Sequence, residues 1–292
     1  MAKKLYHSTN QKRRALIVTA DDFGLAVPVN EAVEIAHRQG ILTSASLMVT
    51  APAVEDAVRR VKEMPELGIG LHLTLMDGLP ALPASQIPDL VGNDGRFLIK
   101  PVQTGIRLFF EKRVKQQVEA EMRAQIERFL ETGLTLTHLD GHHHFHQHPT
   151  IIGLLVSMAS EYGIRTVRFP QEPWWPSWRA QREKPLQRFL AWLLSVPRFT
   201  RMRHRLGKAG IQCNDFMFGL HESGRMNLDR VQRFIQHLPP GLTELYCHPG
   251  TKQWQGDDAL PEDYLCVEEF LAISDPELKE LIEQLGIDLT SF

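Results

Sequence analysis

The chain has 292 residues, with 33 basic and 35 acidic side chains and a formal charge of −2. Its 43% hydrophobic and 23% charged content matches a folded domain with a sizeable core and excludes general disorder. The near-neutral balance argues against nucleic acid as a partner, and no apolar run reaches the roughly 18 residues of a transmembrane segment. Cys213, Cys247 and Cys266 lack CxxC spacing, which argues against a disulfide framework or a zinc–thiolate site. The basic start MAKKLYHSTNQKRR has no apolar stretch or cleavage site of a signal peptide, so a reducing cytoplasm is the expected location.

Strands and helices are expected to alternate. Ala15–Ala20 is a short apolar run ending on a polar pair and is expected to be a buried strand. A helix over Val29–Arg38 stops at Gly40, followed by a strand over Ser46–Thr50, a helix over Val54–Met64 and a strand over Ile69–Leu75. Met76 to about Phe110, rich in proline and glycine, is expected to be irregular and functional. Then come a helix over Lys112–Glu131, a strand over Leu134–Leu139, a helix over Thr150–Tyr162 and a short strand over Thr166–Phe169. Pro170–Pro185 is expected to be a loop, and Pro185–Leu206 a helix that Pro197 should kink or break. Gly210–Phe218 is ambiguous; a helix over Leu228–Leu238, a strand over Thr243–Cys247 and a helix over Pro276–Leu285 complete the chain. Such alternation predicts parallel βαβ units, in a closed α/β barrel or an open doubly wound sheet. No glycine-rich phosphate loop follows the first strand.

The ionisable residues cluster by position. Asp21 and Asp22 end the first strand, His72 lies within the third, His138, Asp140 and His142 run through and past the fourth, and His248 follows the strand ending at Cys247. In a parallel barrel those ends open on one face, where such folds put active sites. His72 between two leucines needs a polar partner, and His138 and Asp140 share a strand face. HLDGHHHFHQH, from His138 to His148, holds six of the 13 histidines. It suits a solvated loop or a metal-binding tract, and imidazole with carboxylate suits Zn, Fe, Ni, Co or Mn. Two adjacent carboxylates can divide labour, one on a metal and its neighbour, facing the other way, as a base; they can also simply end a strand or cap a helix. Trp174, Trp175 and Trp178 suit either sugar stacking or pinning of their loop. Cys247 and His248, adjacent on a strand, should face apart, so a Cys–His nucleophile is not expected.

Thr19-Ala-Asp-Asp-Phe-Gly-Leu25, Gly70-Leu-His-Leu73, Thr137-His-Leu-Asp-Gly-His-His-His144 and Cys247-His-Pro-Gly250 resemble the YdjC-like carbohydrate deacetylases, whose members include chitooligosaccharide deacetylase. Ser46-Leu-Met-Val-Thr-Ala-Pro52 and Arg168-Phe-Pro-Gln-Glu-Pro173 look most like the hopanoid-biosynthesis-associated branch, HpnK. The resemblance spans nearly the whole chain. It implies one catalytic domain over 1–292, with 1–13 as an N-terminal extension, folded as a distorted (β/α) barrel related to polysaccharide deacetylases. It further implies one divalent ion, Mg2+ or Zn2+, on Asp22, His72 and His142, with Asp21 as general base and His248 as candidate acid. His144 and His146 are alternatives for the acid. His138, Asp140, His144, Arg168, Trp174 and Trp175 are then the expected substrate contacts. Gly141 stands where some relatives carry serine. The implied reaction is removal of an N-acetyl group from an amino sugar or glycolipid, including an N-acetylglucosaminyl hopanoid. A homodimer is a further expectation. Metal-dependent phosphoester or cyclic-amide hydrolysis, and a non-catalytic sugar-binding barrel, are the rival expectations.

Overall fold

The structure, a computed structural model, describes residues 13–256 and 258–292. The expected N-terminal extension, Arg13 apart, lies outside them. The core is one parallel sheet. Strand β1 (Arg14–Phe23) is central, with β2 (Ser44–Leu47), β3 (Gly68–Leu73) and β4 (Leu136–Gly141) following on one side. On the other side lie β6 (Gly241–Cys247) and β5 (Phe216–Phe218). A two-residue strand β7 (Asp288–Leu289) pairs with the start of β1. Single parallel bridges from Leu139 to Val167 and from Thr166 to Gln212 carry the sheet from β4 towards the segment that becomes β5. The sheet therefore curls into a distorted α/β barrel, as expected, with an irregular quarter where Thr166–Phe169 makes only isolated bridges.

The apolar residues of the strands are enclosed by helices, as a parallel sheet buried on both faces requires. These are α1 (Val27–Gln39), α2 (Val54–Val61), α3 (Pro101–Phe110), α4 (Lys112–Glu131), α5 (Pro149–Tyr162), α6 (Trp174–Gln181), α7 (Pro185–Lys208), α8 (Leu228–Gln236), α9 (Cys266–Ser274) and α10 (Pro276–Gln284).

Four elements depart from the sequence expectations. The end of the expected irregular stretch is α3, where Pro101 sits at the first turn, a position that tolerates its missing N–H. The tryptophan segment is helix α6 rather than a loop. Helix α7 runs through Pro197 without a break, because Phe199, Met202 and Leu206 beyond it remain anchored in the core. Helix α9, which no expected element covered, docks through buried Cys266, Ala272 and Ile273. Its Glu269 is also buried, within reach of the candidate site.

Candidate active site

Regular strand alternation would point Asp21 and Asp22 to opposite faces. The register with β2 instead shifts between Ala20 and Phe23, and Asp22 takes a left-handed φ of 60°. This is a β-bulge, a device that re-aims side chains at barrel rims. Aspartate tolerates this conformation better than most residues. The turn beyond is held by the side chain of Asn30, which accepts from the Gly24 N–H at 2.8 Å and donates to Ala53 O and Asp56 Oδ2. Both carboxylates consequently line the same cavity.

Three acceptor atoms converge beside the bulge. Asp22 Oδ1 lies 3.3 Å from His72 Nε2 and 3.0 Å from His142 Nδ1. His72 is 1% exposed, and its ring donates through Nδ1 to Asp140 Oδ1 at 2.8 Å. That bond directs the Nε2 lone pair at Asp22. Asp22 Oδ1 is buried and has no partner with hydrogen-bond geometry. A carboxylate oxygen and two imidazole nitrogens this close need a cation or shared protons between them, and the donor set fits a divalent ion. Burial pushes the Asp22 carboxyl up, but His142 and His72 outweigh it and hold it well below the usual range. Burial lowers His72, yet the Asp140 and Asp21 carboxylates prevail and raise it to about 10. A proton thus competes for the same place as a metal.

Below the cavity floor, Arg168 is fully enclosed. Its guanidinium grips Asp21 with two bonds of 2.8 and 2.7 Å and also reaches Asp140 Oδ2 at 2.7 Å and Glu244 Oε1 at 2.8 Å. Ser46 Oγ donates to Asp140 Oδ2 at 2.7 Å and accepts from His138 Nε2 at 3.1 Å. Burial drives His138 down to about 3, so this ring is neutral. Burial raises Asp140, but Arg168 and His72 hold it well below the usual range. The opposite wall carries His248, whose backbone N–H donates to Glu269 Oε2 at 2.5 Å. Burial lowers the His248 ring and pushes Glu269 up to about 7. The cavity measures about 270 Å³ and also takes in His144, Tyr246 and Tyr264.

Residues 15–284 match the family described as YdjC-like protein. The chain belongs to that family. It is 31% identical over 280 residues to a carbohydrate deacetylase of Geobacillus stearothermophilus, covering 96% of this chain and 97% of the relative. A carbohydrate deacetylase of Brevibacillus brevis is 43% identical over 155 residues, covering 53% of this chain and 59% of that protein. One from Vibrio cholerae is 40% identical over 151 residues, covering 51% and 56%. These two matches span somewhat more than half of those relatives. A crystal structure from Enterococcus faecalis, described as a cellobiose-phosphate cleavage protein, superposes with a TM-score of 0.72 at 24% identity, covering 96% of this chain and 97% of the other. That likeness speaks for the fold alone.

In this YdjC-like protein Asp21, Asp22, His72, His142, His144 and His248 share one cavity. The expected substrate contacts His138, Asp140 and Arg168 do not line it. They are enclosed beneath it, at 1%, 0% and 0% exposure, because each is consumed by orienting another side chain. Trp174 and Trp175 are also absent from its walls. They lie on α6, where Trp174 donates to Pro185 O and packs on Phe189 of α7. His146, the other alternative acid, is buried with Nε2 3.1 Å from Arg168 O. Cys247 Sγ is buried against Thr19 O and does not line the cavity that His248 enters. Asn30, Ser46, Glu244 and Glu269 also support the site and carry no motif of their own, being single polar positions within apolar runs or helices. A polar residue on an otherwise buried strand, as at Ser46 and Glu244, was the available signal.

Proposed function

We propose that this chain is a metal-dependent carbohydrate deacetylase that hydrolyses an N-acetyl group from an amino sugar. The observation that carries the proposal is the convergence of Asp22, His72 and His142 beside a second carboxylate, in a chain whose relatives are carbohydrate deacetylases. Asp22 Oδ1, His72 Nε2 and His142 Nδ1 would hold the ion. Two imidazoles and one carboxylate favour Zn2+ over Mg2+, which prefers oxygen ligands. A divalent ion bound there supplies positive charge that polarises the acetamide carbonyl and acidifies water.

The chain's own groups supply the proton transfers. Asp21, clamped by Arg168, takes a proton from the attacking water as its oxygen bonds to the carbonyl carbon. Cleavage of the C–N bond requires a proton on the departing nitrogen. His248 can deliver it through Nε2, since Nδ1 is enclosed. Acetate and a free amine result. The ring faces of Tyr246 and Tyr264, which flank His248 at 5.5 and 5.0 Å, narrow the cavity around the acetamide.

The narrower proposal, an acetylated sugar on a hopanoid or another glycolipid, rests on the likeness of Ser46–Pro52 and Arg168–Pro173 to the HpnK branch. Ser46 and Arg168 lie beneath the cavity, where they hold Asp140 and Asp21, so that likeness concerns the catalytic apparatus more than the aglycone. One observation favours a second chemistry. Asp77, His142 and His143 form another donor group that shares His142 with the first, as a two-metal phosphoesterase would require. Metal counting on purified protein separates the two, with one tightly held ion expected for the deacetylase. The decisive assay is acetate release from N-acetylated glycans and glycolipids, with chelator and after zinc addition. Release that chelator abolishes and zinc restores is the expected result. No acetate from any substrate with metal supplied would overturn the proposal.

A further inference from the structure

Large exposed apolar side chains concentrate on two helices. Among the described residues, nine of the sixteen lie in residues 99–110 or on α7. On α3, Val102, Ile106 and Phe110 recur every four residues and form one stripe, with Val102 at 75% and Phe110 at 84% exposure. On α7, Leu186, Leu190 and Leu194 form a second stripe, with Leu194 at 80%. Four residues on, the α7 stripe continues into Arg198 and then Met202.

Arg198 and Met202 line a second cavity, about 710 Å³, together with Arg201 and Arg205. Pro101 and Phe109 of α3 form part of its wall. The two apolar stripes therefore flank one apolar hollow rimmed by arginines. Helix α7 carries five arginines and a lysine with no acidic residue, on a chain whose overall charge is −2. Arg188 and Arg203 are engaged by carboxylates. Among the described residues, no carboxylate oxygen lies within 4.0 Å of the Arg198, Arg201 or Arg205 guanidinium. Arg205 donates only to the Pro149 carbonyl, and Arg198 lies over the Phe199 ring.

A basic rim around protruding leucine and phenylalanine is the pattern of an interfacial membrane anchor. No helix among the described residues is long and apolar enough to cross a membrane. We propose that α3 and α7 form a peripheral docking surface for an anionic lipid bilayer. The apolar stripes enter the interface, and Arg198, Arg201 and Arg205 meet lipid phosphates. His143 lines both this hollow and the candidate catalytic cavity, and Met76 and Asp77, adjacent in sequence, line one each. Docking would thus turn the catalytic mouth towards the lipid surface. The charge pattern favours a bilayer over a second copy, since two copies would bring their unpaired arginines together.

The test is flotation of the full chain with vesicles of phosphatidylcholine alone and of phosphatidylcholine mixed with phosphatidylglycerol. Binding is expected to the mixed vesicles only and to fall as salt rises. The triple variant R198A/R201A/R205A should bind roughly 100-fold more weakly, at about 1 kcal/mol per arginine near an anionic surface. V102S/I106S/F110S should also lose binding. All six side chains are exposed, so melting temperatures near the parent's are expected and are checked. Failure to float with either vesicle overturns the proposal, as does unchanged binding by both variants. A parent dimer that V102S/I106S/F110S converts to monomer, without vesicle binding, would assign the face to a second copy instead. None of these measurements depends on catalysis.

Discussion

The substitution Asp140→Asn tests the site where its parts are most tightly coupled. Asp140 Oδ1 accepts from His72 Nδ1 at 2.8 Å, while Oδ2 accepts from both Ser46 Oγ and Arg168 at 2.7 Å. An asparagine cannot serve both sides. With its oxygen towards His72, its amide NH2 faces two donors, one of them charged. With its oxygen towards Arg168 and Ser46, its NH2 faces His72 Nδ1 and drives the ring proton to Nε2, the atom aimed at Asp22. The charged Arg168 bond is the stronger, so the second orientation is expected. It would remove the lone pair proposed to hold the metal. Loss of such an orienting carboxylate typically lowers metal affinity 10- to 100-fold, or about 1.4 to 2.8 kcal/mol. The forced tautomer puts Asp140→Asn at the upper end. Calorimetric zinc titration of the metal-free protein measures this, with circular dichroism to check the fold. A folded variant that binds zinc within about two-fold of the parent would refute both the orienting role of Asp140 and the assignment of His72 as a ligand.

Asp21→Asn should reduce acetate release by more than about 100-fold, the usual scale for a lost general base, while calorimetry still detects metal binding; retained turnover would remove Asp21 from the mechanism. His248→Asn should slow amide hydrolysis about 100-fold or more but spare p-nitrophenyl acetate, whose leaving group needs no proton. Equal losses on both substrates would contradict the acid role. Glu269→Gln should alter the pH dependence of stability. Burial raises the Glu269 carboxyl to about 7 in the folded chain. Its protonated form therefore contributes stability that is complete below the unfolded value near 4.5 and is lost as pH rises through about 7. Urea denaturation at pH 5 and pH 8 should show the parent losing on the order of 3 kcal/mol relative to the glutamine variant over that interval. A pH-independent difference would disprove the raised carboxyl.

Much of the site could be seen in the chain before any fold was known. The strand ends at Asp21, His72 and His248 were recognisable because a buried parallel strand is an apolar run, and polar residues interrupting it stand out. The parallel α/β class followed from the alternation of such runs with amphipathic helices. Helix α4 appears over Lys112–Glu131, the range its periodicity indicates. Helix α6 and the unbroken α7 were not legible, because proline and tryptophan density mimics a loop when the packing partners are unseen.

Sequence by itself determined which residue types stand at the strand ends, and hence the class of chemistry available. Only the tertiary structure decided which of them meet in one cavity. Asp21 and Asp22 share a cavity because a bulge and one left-handed backbone angle override alternation. Asp140 and Arg168 lie beneath the cavity, bonded to His72 and Asp21, because neighbouring strands enclose them. Such outcomes depend on register, burial and contacts between residues far apart in the chain, 147 positions in the Arg168–Asp21 pair and 225 in the Thr19–Glu244 pair. Local periodicity carries no record of distances across the barrel.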